Sequence, residues 1–172
     1  MKQSIATIIS RVFDPFIMLA VVIVVLLSHT RVFIPAFISI VIIPFALFFI
    51  AWKTKLVSDW DITDRSQRPM LFWSLTAIEI INIVVFRLWF LIPMIIAFAV
   101  FSLITHFWKI SGHAFANALA TGILISRFGW HWWPVLFIVP LVVWSRVVRK
   151  NHTLPQVIAG ALFAWTVVFM FL

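Results

Sequence analysis

The sequence predicts an all-α, polytopic bundle of six to seven transmembrane helices, with an active site open at one membrane interface. Three observations carry that prediction. Hydrophobic residues fill 65% of the 172 positions and charged residues only 10%, whereas a soluble domain carries roughly 25% charged residues. Apolar runs of membrane-crossing length recur along the whole chain. The side chains capable of chemistry gather in three polar stretches between those runs: residues 59–69, 111–113 and 145–156. A polar group inside a membrane protein is costly unless it has a task. The remainder therefore reads as a frame for these stretches, built as one domain over residues 1–172.

The first apolar segment covers residues 16–27, with Asp14 as N-cap and Pro15 in the first turn. Lys2, Arg11 and Asp14 precede it and no small-residue cleavage site follows, so it reads as a retained helix and not a removed signal peptide. Ser28-His29-Thr30-Arg31 makes a tight connection. Residues 32–52 are long enough to cross a hydrocarbon core of roughly 30 Å, with Pro35 and Pro44 as points of bending. Residues 53–68 form the longest polar stretch and hold three of the five acids. Residues 70–86 and 88–105 make a hairpin turning near Arg87, and Glu79 and Asn82, one turn apart, face other helices. A short span to residue 126 follows the second polar stretch. A tryptophan-rich turn (127–133), a segment over 134–144 and a last one over 157–172 complete the chain.

That count gives seven segments, with the fifth and sixth short enough that six is the alternative. Each polar stretch lies two segments after the previous one, so parity puts all three on the same side. Trp52, Trp73, Trp108 and Trp144 mark that interface; Trp89, Trp130, Trp132 and Trp133 mark the other, while Trp165 packs inside.

The net charge of +8 reports topology and anionic headgroups in such a protein, not nucleic acid. Parity places Lys2, Arg11, Lys53, Lys55, Arg65, Arg68, Lys109, Arg146, Arg149 and Lys150 on the active side, against Arg31, Arg87 and Arg127. Without the four candidate site residues Arg68, Lys109, Arg146 and Arg149, six still stand against three. The positive-inside rule then puts the N-terminus and the active face in the cytoplasm, in a multi-pass protein of the cell membrane. The absence of cysteine excludes disulfides, thiolate catalysis and cysteine-ligated metals.

Arg146 and Arg149 are three apart and His152 is three further on. On a continuing helical turn they would share a face, although Pro155 marks a break and a restart nearby. Two guanidiniums beside an imidazole suit a phosphoryl group, because arginine grips its oxygens bidentately and keeps its charge. The free N–H groups of a helix opening around Leu154-Pro155 also favour an anion. Taken alone, this stretch reads more simply as a positive-inside cluster at a helix end. Ser111-Gly112-His113 shifts the balance. Serine caps a helix, glycine admits close backbone approach, and the histidine stands at the positive end of the next helix dipole. A lone boundary histidine is more often a structural hydrogen-bonder. Two at helix starts on one side, flanked by arginines, are harder to explain that way.

These residues resemble the type 2 phosphatidic acid phosphatase superfamily, which includes membrane lipid phosphatases and vanadium haloperoxidases. Its motifs are Lys-x6-Arg-Pro, Pro-Ser-Gly-His and Ser-Arg-x5-His-x3-Asp. Arg68-Pro69 matches the end of the first, Ser111-Gly112-His113 three positions of the second, and Ser145-Arg146 with His152 the third at its spacing. The resemblance spans residues 53–160. It implies that His152 attacks phosphorus to form a phosphohistidine, while His113 protonates the leaving alcohol and then activates water. It also implies that Arg68, Arg146 and the backbone near Ser111 and Gly112 stabilise the equatorial oxygens, and that no metal or other cofactor is needed. The implied partners are a lipid phosphate substrate (polyprenyl phosphate, phosphatidic acid or phosphatidylglycerophosphate) and membrane lipids.

Three positions depart from the pattern. Asp61 stands in place of the lysine, with Lys109 or Arg65 as candidate replacements, and Arg149 is a further candidate substrate contact. Ile110 replaces the proline. Gln156 replaces the aspartate that orients the nucleophilic histidine, and one of Asp59, Asp61 or Asp64 is the candidate substitute. These departures keep open a lipid-phosphate-binding relative without turnover. The aspartate-rich loop 59–64 also admits a magnesium-dependent intramembrane prenyltransferase, but that chemistry uses two such loops. The other acids here are Asp14 and Glu79 alone. His106 is placed to line the same cavity as His113, His29 and His131 lie in turns on the opposite side, and no pair has zinc spacing.

Overall fold

The computed structural model describes residues 1–171; Leu172, the end of the last expected segment, lies outside them. The chain is 82% helical, without a strand among the described residues. Six helical stretches are long and apolar enough to cross a bilayer: Lys2–Leu27, Phe33–Lys53, Arg65–Phe86, Trp89–Phe107, Trp130–Val148 and Leu154–Phe171. The fifth expected segment is also helical, but at 17 residues it is only about 26 Å long at 1.5 Å per residue. Large apolar side chains such as Ile81, Val84, Val85, Leu162 and Phe169 point outward, a surface that lipid and not water suits.

The chain divides into two compact units: Met1–Leu26 with the chain from Ile110 onward, and Leu27–Lys109. The first unit is built around helix α7 (Gly112–Phe128), whose residues 117–124 are all buried. Its small side chains admit α9 (Leu154–Phe171), which buries Gly160, Ala161 and Ala164, the small-residue packing that replaces a hydrophobic driving force in lipid. A β-carbon on Gly122 would stand 2.8 Å from Val168 Cγ2. Helix α8 (Ile138–Val148) follows a 3₁₀ stretch, Trp130–Phe137, entered through Gly129 at φ +90°. The N-terminal residues form an additional helix, α1 (Lys2–Val12), which packs on α8 and buries Ala6 and Ser10. It stops at Phe13. Asp14 then caps α2 (Pro15–Leu27), accepting the Phe16 N–H at 3.0 Å as the sequence predicts.

In the second unit α3 (Phe33–Phe37) passes through a π-helical turn, Ile38–Ile42, into α4 (Ile43–Lys53). Pro44 explains the wide turn: it has no N–H for the carbonyl four residues back, and its ring crowds that carbonyl. Helix α5 (Arg68–Phe86) and α6 (Ile92–Phe107) pair. Thr76 and Ser102 hydroxyls meet at 3.2 Å, and Phe72 lies edge-on to Phe98 and Phe101. Arg87 closes α5 in a left-handed conformation (φ 56°) while Leu88 N–H reaches Ile83 O at 3.0 Å, satisfying carbonyls that the helix end leaves open. Asn82, buried, donates to Ser39 O at 3.3 Å and lies 3.4 Å from Glu79 Oε2. Asn82 therefore serves a contact between elements, as expected, while the bond to Glu79 stays within α5.

Candidate functional site

Two helix starts bring the second and third polar stretches together in the first unit. Ser111 is extended (φ −86°, ψ 112°) and caps α7, its Oγ accepting the Ala114 N–H at 3.3 Å. Gly112 and His113 form the first turn, with His113 only 7% exposed. The Ser111 N–H donates to Gln156 O at 3.2 Å. Gly160 permits this approach, because a β-carbon there would stand 2.7 Å from Ser111 O. The start of α7 is thus clamped onto the first turns of α9.

Helix α8 delivers Arg146, fully buried, from its last turn. It ends at Val148; Arg149 is its C-cap, Lys150 turns left-handed at φ 58°, and Asn151 N–H reaches back to Arg146 O at 3.1 Å. The continuing face expected for Arg146, Arg149 and His152 is therefore interrupted, because the left-handed residue reverses the chain. His152, 7% exposed, sits between that turn and α9. The Gln156 side-chain oxygen accepts the Thr153 N–H at 3.1 Å, the reciprocal half of a capping box.

Arg146 and Arg149 converge instead on a residue of α1. Both Nη1 atoms donate to Ser10 Oγ, at 2.7 and 2.9 Å, and Ser10 is fully buried. Close by, Asn117 Nδ2 donates to Phe13 O at 2.9 Å and to His113 O at 2.8 Å, which ties the α1–α2 corner to the turn carrying His113. Asp14, 6% exposed, is the one acidic residue of this unit. Sequence reasoning assigned no role to Ser10 or Asn117. The available signal was weak: Ala6 and Ser10, small residues four apart on an amphipathic stretch, mark a contact face without saying what meets it.

The remaining candidates belong to the second unit. Asp59 organises its own loop, accepting the Asp61 N–H at 2.9 Å, the Thr63 N–H at 3.0 Å and the Thr63 hydroxyl at 3.0 Å. Asp64 accepts the Ser66 hydroxyl at 2.8 Å and the Ser66 N–H at 2.9 Å, bonds that hold its carboxyl below the usual range. Trp60 anchors the loop edge-on against Phe45, Phe48 and Trp52. Asp61 is half-buried in the same loop. Arg65 Nη1 donates to Phe107 O at 2.6 Å. Arg68, first residue of α5 and 3% exposed, donates through Nε to Ile62 O at 2.9 Å. Lys109, half-buried, ends this unit. His106 is exposed there, its Nε2 accepting the Trp73 indole N–H at 3.0 Å. Among the described residues no three His, Cys, Asp or Glu gather as for a metal ion.

The first unit therefore combines two imidazoles, two guanidiniums on one acceptor and a helix N-terminus, a set suited to an anion whose charge changes during reaction. No family model and no solved structure matches the chain. Over 64 residues, 36% of its length, the chain is 40% identical to the lipid A 4'-phosphatase of Helicobacter pylori (strain J99). The matching stretch spans 31% of that protein, about a third of it. Over that stretch the chain is similar to a lipid phosphatase.

Proposed function

We infer that this protein is a multi-pass membrane enzyme hydrolysing a phosphate or diphosphate ester of a lipid through a phosphohistidine intermediate. The observation that carries the reading is the clamp between the α7 and α9 starts, Ser111 N–H to Gln156 O at 3.2 Å. It joins the histidine-bearing turns of two motifs in one unit. His152 attacks phosphorus and the lipid alcohol leaves with a proton from His113. His113 then takes a proton from water, whose oxygen attacks the phosphohistidine and releases inorganic phosphate. Arg146, Arg149 and the N–H groups that open α7 hold the charge on the non-transferred oxygens. The similarity to a lipid A 4'-phosphatase supports a lipid phosphate as the substrate class, with polyprenyl phosphate, phosphatidic acid, phosphatidylglycerophosphate and lipid A phosphates as its candidates. A frame whose outer surface is apolar suits a substrate whose acyl or prenyl tail stays in the bilayer. The active face is assigned to the cytoplasm on the charge count.

One observation favours a second reading, a lipid-phosphate-binding protein without turnover. Gln156 brings no charge beside His152, and its oxygen already serves the Thr153 N–H. Release of inorganic phosphate from a panel of those lipids by the purified protein, with chelator present, separates the two. Release supports the enzyme; saturable vanadate binding without release supports the binder.

A further inference from the structure

Helix α1 precedes every motif of the sequence, yet its Ser10 is buried completely at the centre of the arginine pair. Guanidiniums repel one another, and long arginine side chains lose considerable rotamer freedom when fixed. A common acceptor offsets both effects before a ligand arrives. Here the shared acceptor is a hydroxyl, Ser10 Oγ, at 2.7 Å from one guanidinium and 2.9 Å from the other. The helix carrying Ser10 is itself fixed. Its next residues end at Phe13, whose carbonyl accepts from Asn117, and Asn117 also binds the His113 carbonyl. The corner that positions the arginines is thus tied to the turn bearing the second histidine.

We propose that Ser10 is a positioning residue of the phosphate cradle, holding Arg146 and Arg149 in the orientation that grips the phosphoryl group. The inference rests on the phosphatase reading above. It makes α1 a working part of the site: the two guanidiniums meet the phosphoryl oxygens pre-oriented, and the gain is greatest in the transition state, where charge on those oxygens peaks.

The test uses the full chain in detergent, comparing wild type with Ser10→Ala and Ser10→Thr. The readouts are phosphate release, vanadate inhibition and thermal unfolding. A hydrogen bond to a charged group supports a change of roughly ten- to a hundredfold, and that loss is expected in kcat/KM for Ser10→Ala. Vanadate affinity should weaken in parallel, with the unfolding midpoint held within a few degrees and the pH profile unmoved. Ser10→Thr keeps the hydroxyl and should recover most of the loss. Where the added methyl group lowers the midpoint, Ser10→Cys, a weak acceptor of similar size, should fall between serine and alanine. Unchanged kcat/KM and vanadate inhibition in Ser10→Ala, in an active wild type, would overturn the role of Ser10 alone. A wild type that neither releases phosphate nor binds vanadate would overturn the phosphatase reading and this inference with it.

Discussion

Gly160 on α9 faces the carbonyl of Ser111 so closely that a β-carbon there would stand 2.7 Å from the oxygen. The obstacle is backbone and cannot rotate away. Gly160→Ala must therefore push Ser111 off α9 and strain its N–H bond to Gln156 O. Overpacking of this kind costs about 1–3 kcal/mol, so the unfolding midpoint should fall. Phosphate release should fall further, since Ser111 begins the turn carrying His113. A fully active Gly160→Ala protein would show that the clamp does not matter to the site.

The two histidines have separable roles in the proposed mechanism. His152→Ala should end turnover and leave no acid-labile phosphate on the protein, while vanadate still binds. His113→Ala should also stop release but allow labelled phosphate to accumulate on His152 with a substrate whose leaving group needs no proton. Persistent hydrolysis in His152→Ala would refute the covalent route.

At Gln156 stability and rate make different demands. Gln156→Ala removes the acceptor of the Thr153 N–H and should destabilise the protein by about 1 kcal/mol, the usual value of a helix cap. Gln156→Asp keeps a carboxyl oxygen near that N–H and adds charge beside His152. Release of phosphate should then rise by roughly ten- to a hundredfold, the scale of an orienting or acid–base group. A fall in rate would mean that the site works around the amide.

Arg87 occupies the left-handed region at φ 56°, where a side chain costs about 1–2 kcal/mol. Arg87→Gly should raise the unfolding midpoint by relieving that cost at the α5 end, with phosphate release unchanged. A drop in the midpoint would show that the guanidinium contributes more than the backbone loses.

Sidedness is tested with single cysteines at Lys55 and Arg127, both exposed. The cytoplasmic assignment predicts that an impermeant thiol reagent labels position 127 in intact cells and position 55 only after lysis. Labelling of position 55 in intact cells would reverse it.

Composition and hydropathy are enough to assign the class of this protein. Runs of apolar residues leave no soluble alternative, and local chemistry at Asp14-Pro15, Ser111 and Arg87 set helix boundaries that need only neighbouring residues to act. Spacing within a motif was equally legible, because it is a property of one stretch. Which residues meet across the chain depends on how the helices pack. Ser10 and Arg146 are 136 positions apart, and a serine on a short amphipathic helix carries no mark of its eventual partner. Gln156 is the local counter-case, since Thr153 and Gln156 stand at capping-box spacing. Its place in the motif suggested a partner for His152, but the amide oxygen lies within reach of the Thr153 N–H, and a helix start has orphan donors to satisfy first. The Asp59 carboxylate follows the same rule, accepting N–H groups of its own loop. Local backbone donors compete for every short polar side chain, whereas packing decides only the pairings made across the chain, such as Ser10 with Arg146 and Arg149.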